Sequence, residues 1–146
     1  MKTTVRTTKH VDAAGALDGA TRRYMLDGAQ VGFNKAREEA PVGATGFLQG
    51  QAMQEPKVDS DGSVWWGNLA EYAEDVEEGT DPHLANFEAI KRWARRVIGI
   101  EGLAGAVWRK IAKEGTDPQP FIEPGVEASE QWFAARGLDV YYEDRL

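Results

Sequence analysis

Cysteine is absent from this 146-residue chain, and histidine occurs only at His10 and His83. A disulfide framework and a thiolate metal site are therefore excluded, and two histidines are too few for a His-rich metal centre. No apolar run reaches the ~20 residues that a membrane span needs, and the first ten residues lack the apolar core of a signal peptide. The sequence predicts a soluble protein, made in a cytoplasm, without a cofactor.

Basic residues are also scarce, since 17 Lys and Arg stand against 24 Asp and Glu, for a net charge of −7. This balance opposes tight, sequence-blind binding to nucleic acid, which depends on cations that displace counterions. Hydrophobic residues make up 42% of the chain and charged residues 28%, the composition of a folded globular protein. The length fits one domain over residues 1–146.

The N-terminal quarter of the sequence predicts a flexible arm followed by one long helix. Residues 1–11 are polar and show no periodicity, so we expect an arm that orders against a partner. Apolar residues then recur at helical spacing from Asp12 to Ala40, and Pro41 ends the helix. Four glycines each weaken this helix by about 1 kcal/mol relative to alanine, so close approach of another element is expected there. These are Gly15, Gly19, Gly28 and Gly32.

The middle of the chain predicts a small, mostly antiparallel sheet. Residues 47–58 and 63–68 flank Asp59-Ser60-Asp61-Gly62, which indicates a hairpin, and Tyr72 to Val76 is expected to continue the sheet. Asp59 to Gly62 resembles the start of a calcium loop, but the later carboxylates of such a loop are missing. A plain hairpin tip is therefore the preferred interpretation.

The remaining residues predict two inserted helices and a final helix. Helical spacing returns on both sides of Gly99 to Gly102, giving a helical insert over residues 84–114, and Gly115 is expected to stop its second helix in a left-handed conformation. Val126 to Arg136 predicts the last helix, and Leu138 to Tyr142 a terminal strand. The fold class is α+β, with a long N-terminal helix packed on the sheet, an inserted helical pair and a C-terminal helix.

The pentapeptide Glu-Gly-Thr-Asp-Pro occurs at residues 78–82 and again at 114–118. The flanking residues differ, so only a turn is repeated and not a domain. Glycine admits positive φ and Asp-Pro favours a turn with an extended exit, so local turn chemistry could produce both copies.

Four motifs in order give the chain a specific resemblance. They are Ala40-Pro41-Val42, Thr45-Gly46-Phe47-Leu48, the segment from Tyr72 to Thr80, and the segment from Gly115 to Pro124 with its Pro-Phe-Ile-x-Pro run. The set resembles the tail-component proteins of tailed bacteriophages, also called tail-completion or neck proteins. Longer members carry an inserted helical pair with an Arg-Trp-Ala-Arg-like run, which Lys91 to Arg96 matches here.

The resemblance implies a structural virion protein, not an enzyme, located in the tail neck after assembly in the host cytoplasm. Identical subunits would form a ring, expected to be a hexamer, between the tail terminator or tail-tube protein and the head-side connector or stopper protein. Genome DNA would pass through without sequence-specific binding, and no membrane is involved. The alternative is an adaptor or binding module of a phage-like particle built on the same scaffold, again without catalysis.

Interface candidates follow from residue type and position. Trp66, Phe121 and Trp132 are apolar candidates, although burial in the core is the simpler interpretation for most tryptophans. Glu74, Glu77 and Glu78 belong to an acidic face, and His83 beside them could alternatively be drawn as an acid/base group. The basic candidates lie in the insert, where they either pair with Glu88 and Glu114 or attract the acidic face of a neighbouring subunit. They are Arg92, Arg95, Arg96 and Arg109.

Overall fold

The computed structural model describes the backbone of residues 5–7 and residues 19–137 in full. Its longest element is α1, Gly19–Glu39, on which apolar residues at helical spacing form one buried face. Ala36 and, just beyond the helix, Ala40 complete the buried face, and the helix ends at Glu39, two residues before Pro41. The predicted start of the helix, residues 12–18, lies outside the described residues.

A three-stranded antiparallel sheet packs against α1. Strand β2 (Met53–Val58) and strand β3 (Val64–Asn68) form the predicted hairpin, and β1 (Val5–Thr7) pairs with the other side of β3. The pairing of β2 with β3 is irregular between Gln54 and Lys57, where Pro56 lies. Proline donates no backbone hydrogen bond, so it is tolerated on β2 because β2 is an edge strand.

The C-terminal helix α5 (Ile122–Ala135) crosses α1 at very short range. A Cβ placed at Gly28 would lie 2.2 Å from the Phe133 ring, and one at Gly32 would lie 2.1 Å from Ser129 Oγ. Ser129 Oγ donates a 2.7 Å hydrogen bond to the carbonyl of Gly28. The expected close approach of a neighbouring element is thus confirmed at these two glycines of α1.

The main core lies where α1, the sheet and α5 meet. Trp66 on β3 and Phe121, immediately before α5, are both 0% exposed. Tyr24 on α1 packs edge-on against Phe133 at 5.1 Å between ring centroids, and its hydroxyl donates to the Arg136 carbonyl at 2.8 Å. Aromatic rings of this size contribute the largest apolar areas to a core, and buried tyrosine normally finds a partner for its hydroxyl.

Four short helices connect β3 to α5. They are α2 (Ala73–Glu78), α3 (Phe87–Trp93) continued by a π-helical turn (Ala94–Ile98), a 3₁₀ turn (Glu101–Leu103), and α4 (Ala104–Glu114). Gly99, at φ +82°, reverses the chain between the predicted pair of helices. None of the helices among the described residues is long and apolar enough to cross a bilayer.

The structure confirms the α+β class and the packing of the long helix on the sheet, and it corrects four local predictions. Residues 5–7 of the predicted arm form an edge strand. Residues 47–52 form turns, and Tyr72 to Val76 belongs mainly to α2, whose carboxylates at Glu74 and Asp75 suit a helix N-terminus. Helix α5 begins at Ile122, four residues before its predicted start. The predicted terminal strand, residues 138–142, lies outside the described residues.

Candidate functional site

The two copies of the repeated pentapeptide pair with each other. Thr80 N donates to the Thr116 carbonyl at 3.0 Å, and Thr116 N donates to the Thr80 carbonyl at 3.1 Å. The two threonine hydroxyls also lie 2.9 Å apart. This isolated antiparallel bridge closes the base of the helical insert, because the insert leaves the body after one copy and returns through the other.

Both glycines of the repeat adopt the same unusual backbone conformation. Gly79 has φ 75° and ψ 178°, and Gly115 has φ 76° and ψ −156°, a region that only glycine occupies readily. The positive φ predicted for Gly115 is present, but its ψ is extended and not left-handed helical. A Cβ at Gly115 would clash with the Thr80 carbonyl oxygen. The paired turns therefore need glycine for its small size as well as for its backbone conformation.

Glu77 connects the first turn to the start of α5. Its carboxylate accepts backbone hydrogen bonds from Phe121 and Ile122, both at 2.8 Å, and from Glu123 at 2.9 Å. These donors are the first N–H groups of the helix, which have no partner within it, and a negative charge suits that helix end. Glu77 therefore caps α5 within its own subunit, and its role as an interface residue stays a prediction.

The helical insert has a small core of its own. Ile90, Ala94 and Ala104 are buried between α3 and α4. Trp108 packs against them, and its Nε1 donates to the Ala85 carbonyl at 2.8 Å. A core of this size covers only the inner faces of the two helices.

The outer surface of the insert is unusually apolar. Six of the ten large apolar side chains that are exposed among the described residues belong to the insert. The two most exposed of the six are Leu84 at 78% and Ile100 at 56%, and the others are Phe87, Val97, Ile98 and Leu103. Clustered exposed apolar residues of this kind mark interaction surfaces more often than scattered single ones do.

Most basic residues of the insert form no ion pair with the acidic residues that the structure describes. Arg95 Nε donates to Glu101 at 2.9 Å, and Lys91 lies 3.6 Å from Glu101 and 3.8 Å from Glu88. The Arg95 guanidinium lowers the pKa of the Glu101 carboxyl below its ordinary value. The predicted pairing with Glu88 is present, no ion pair at Glu114 occurs among the described residues, and the sequence does not predict the pairing with Glu101. Five exposed cations make no ion pair within the part of the chain that the structure describes: Arg92, Arg96, Arg109, Lys110 and Lys113.

Within the described part of the chain, two open grooves at the insert each combine an apolar lining with one of these arginines. The α3–α4 groove, about 380 Å³, is lined by Phe87, Gly105, Trp108 and Arg109. A second cleft, about 530 Å³, separates the insert from the body. Its lining includes Pro41, Val42, Val76, Trp93, Arg96, Val97 and Gln119.

The acidic face lies on α2 and the turn before it. Ala73 is buried, whereas Glu74, Asp75 and Glu78 are exposed on the opposite side of the helix. Two exposed apolar side chains, Leu69 and Tyr72, precede them. The subunit therefore presents an acidic and apolar surface on α2 and a basic and apolar surface on the insert.

Two of the three aromatic candidates occupy the interior of the subunit. Trp66 and Phe121 are fully buried, so their prediction as interface residues is wrong, and both belong to the core. Trp132 is half-buried, with its ring centroid 5.4 Å from that of Tyr24, and Arg136 lies 5.4 Å above it. Trp132 keeps an exposed edge and stays a candidate.

The hairpin tip and the turn at His83 are the two alternative sites, one for a calcium ion and one for acid/base chemistry. The hairpin tip uses its carboxylates locally, because Asp59 accepts from Trp65 Nε1 at 2.9 Å and Asp61 accepts from Ser63 N at 2.9 Å. His83 Nδ1 lies 2.9 Å from the Asp81 carbonyl. No group of three metal-ligating side chains occurs over residues 19–137. The geometry of both segments is that of ordinary turns.

Comparison of the chain with protein-family models, with curated proteins and with solved structures found no match to any of them.

Proposed function

We propose that this protein is a structural component of a tailed virus particle, which forms a ring at the head-proximal end of the tail. The observation that carries the proposal is the set of four motifs that resemble tail-completion proteins, which are spread over residues 40–124. The first, third and fourth motifs line one cleft, and the third pairs with the fourth through the bridge between the two turns. Each motif is short and rich in turn residues, but four of them in this order are hard to obtain by chance.

The contacts between the motifs are specific. The bridge between Thr80 and Thr116 joins the third motif to the fourth, and the carboxylate of Glu77 caps the helix that follows. Gln119 N also donates to the Val76 carbonyl at 2.8 Å. Pro41 from the first motif lines the cleft that Val76 and Gln119 share. Leu48 from the second motif belongs to the buried core.

The surface of the subunit supports a role in assembly. The insert exposes apolar side chains, which gain from burial when another molecule covers them, and cations that make no ion pair within the described residues and can pair with an acidic partner. The insert has a net positive charge, whereas the remaining chain has a net negative charge. One subunit therefore carries two different surfaces of opposite charge. A heterologous contact of this type generates a closed ring when the rotation between subunits closes, and we expect six copies.

The acidic balance of the chain suits a ring around DNA. A channel wall with net negative charge repels phosphates, so a duplex passes without being held. In this proposal the ring lies between the tail-tube or terminator protein and the head-side connector, and the protein performs no catalysis.

Location in the particle tests the proposal directly. Purified virions would be separated into heads and tails, and the protein would be located by mass spectrometry and by gold-labelled antibody in electron microscopy. We expect it at the neck, at a copy number that fits one ring per particle. Presence only in infected-cell lysate, or a uniform distribution over the capsid, would rule the proposal out.

A further inference from the structure

The α3–α4 groove has the features of a docking site. Phe87 and Trp108 meet edge to face, with their ring centroids 6.3 Å apart, and form its apolar floor. Gly105 leaves the groove open, because a Cβ there would meet nothing closer than Arg109 Nη1 at 3.9 Å. Arg109 lines the groove, and Lys113 follows one turn later on the same face of α4.

The charge of the insert favours an acidic occupant. Residues 84–114 contain seven Lys and Arg against three Glu, although the whole chain has a net charge of −7. Arg109, Lys110 and Lys113 are exposed, and they make no ion pair within the described residues. An apolar floor with unpaired cations at its rim fits a partner with apolar side chains inside an acidic border.

The same chain presents such a surface on and before α2. Leu69 is 48% exposed and Tyr72 is 45% exposed, so both are available for apolar contacts with a partner. Glu74 and Glu78 lie one helical turn apart beside them, and Asp75 extends the acidic border. Among the described residues these three carboxylates form no ion pair within the subunit.

We propose that the α3–α4 groove of one subunit binds the acidic surface of a second copy of this chain, formed by Leu69, Tyr72 and α2. The proposal rests on the ring assembly proposed above and identifies the contact that builds it. The two surfaces differ, so each subunit uses the groove toward one neighbour and α2 toward the other. Charge attraction fixes the register of the contact, and the apolar centre supplies its affinity.

The cleft between the insert and the body fits this partner less well. Val76 of α2 lines that cleft, so a second α2 docked there would lie beside the acidic residues of the first. Like charges placed across an interface oppose association. Among the described residues, none that lines the α3–α4 groove is acidic.

Charge reversal on each surface tests the contact. One variant carries Arg109→Glu and Lys113→Glu, and the other carries Glu74→Lys and Glu78→Lys. Alone, each presents like charges at every contact, so we expect its self-association, measured by analytical ultracentrifugation and native mass spectrometry, to weaken by about tenfold or more. Mixed in equal amounts, the two variants restore opposite charges at every contact of an even-numbered ring, and assembly should return.

A third variant controls for net charge. Arg22→Glu with Arg23→Glu makes the same change in net charge as Arg109→Glu with Lys113→Glu, but on the exposed side of α1. This variant should assemble as the wild type does, because the change lies outside both surfaces. Circular dichroism melting confirms that every variant is folded before its association is measured.

Filling the groove is an independent test that leaves charge unchanged. Gly105→Leu places a side chain over Phe87 and Trp108, and should abolish assembly while the monomer stays folded. Gly102→Leu is the matched control, because a Cβ at Gly102 meets no atom within 4 Å and lies outside the groove.

A disulfide provides a further test of the contact. The chain has no cysteine, so Tyr72→Cys combined with Gly105→Cys should give a disulfide between copies and none within a copy.

The outcomes separate this inference from the proposed function. Self-association that neither charge reversal nor Gly105→Leu alters would overturn the contact, even if the protein is found at the neck. A chain with Tyr72→Cys and Gly105→Cys that forms no disulfide between copies at any concentration would overturn it as well. A protein absent from the particle whose charge-reversed variants still rescue each other would keep the contact and remove the viral role.

Discussion

Thr80 and Thr116 stand 36 positions apart in the sequence and face each other across one antiparallel bridge, with their hydroxyls 2.9 Å apart. Each is the central residue of one copy of the repeated pentapeptide. The repeat therefore has a joint structural purpose, in which two identical turns pair with approximate twofold symmetry and close the insert at its base. Each copy supplies a glycine that allows the other copy to approach.

The paired turns predict a large stability loss when a Cβ is added. We expect Gly115→Ala to lower the free energy of unfolding by about 3 kcal/mol or more, because it combines a glycine-only conformation with a clash against the Thr80 carbonyl. Gly99→Ala is the matched control, since it has φ +82° but no atom within 4 Å, and should cost about 1 kcal/mol. Urea denaturation measures both. Equal losses would show that the bridge contributes nothing.

The crossing of α1 and α5 predicts opposite effects for the same substitution at two helical glycines. At Gly32 a Cβ would lie 2.1 Å from Ser129 Oγ and 2.7 Å from the Gly125 carbonyl, so Gly32→Ala should destabilise by about 2 kcal/mol or more as the helices separate. At Gly105 the space is open, and Gly105→Ala should stabilise by up to about 1 kcal/mol through helix propensity. Thermal denaturation of both variants gives the comparison. A stabilised Gly32→Ala would mean that α5 does not approach α1 this closely.

Sequence periodicity was sufficient for the elements whose stability comes from one continuous apolar face. Local spacing and turn residues predict three such features: the end of α1 shortly before Pro41, the hairpin of β2 and β3, and the two helices of the insert. The glycines of α1 also indicated a close neighbour, because four helix-weakening residues on one helix need compensation from packing. The identity of that neighbour, α5, required the three-dimensional structure.

The features that the sequence did not predict depend on distant partners. Glu77 and the backbone of Phe121 to Glu123 are more than 40 positions apart, so no local pattern links the carboxylate to the helix that it caps. Tyr72 to Val76 is too short for its periodicity to separate a strand from a helix. Trp66 illustrates a third difficulty, since the same residue type serves the core and interfaces, and only burial distinguishes them.

The ion pair of Arg95 with Glu101 predicts a local pH dependence. Arg95 lowers the pKa of Glu101 from its ordinary value of 4.5, with a smaller effect from Lys91. The contact therefore stabilises the turn between α3 and α4 above the unfolded pKa, and this contribution is lost as pH falls through the lower, folded pKa. Carbon-detected NMR titration should give a Glu101 midpoint below 4.5. Arg95→Gln should raise this midpoint, and a midpoint that does not move would show that the pair does not form in solution.

The cap formed by Glu77 predicts a stability loss that is independent of assembly. Glu77→Ala leaves the backbone N–H groups of Phe121, Ile122 and Glu123 without their acceptor, and should lower the free energy of unfolding by about 2 kcal/mol. Glu77→Gln keeps one acceptor oxygen but loses the charge at the positive end of α5, so it should fall between Ala and wild type. Glu78→Ala removes the next, exposed carboxylate and should change stability by less than about 0.5 kcal/mol.

Amide hydrogen exchange at the first turn of α5 distinguishes this cap from a general surface effect, because only the two Glu77 variants should accelerate exchange there. If Glu77→Ala and Glu78→Ala behaved alike, Glu77 would act as an ordinary member of the acidic face, and its first assignment as an interface residue would stand.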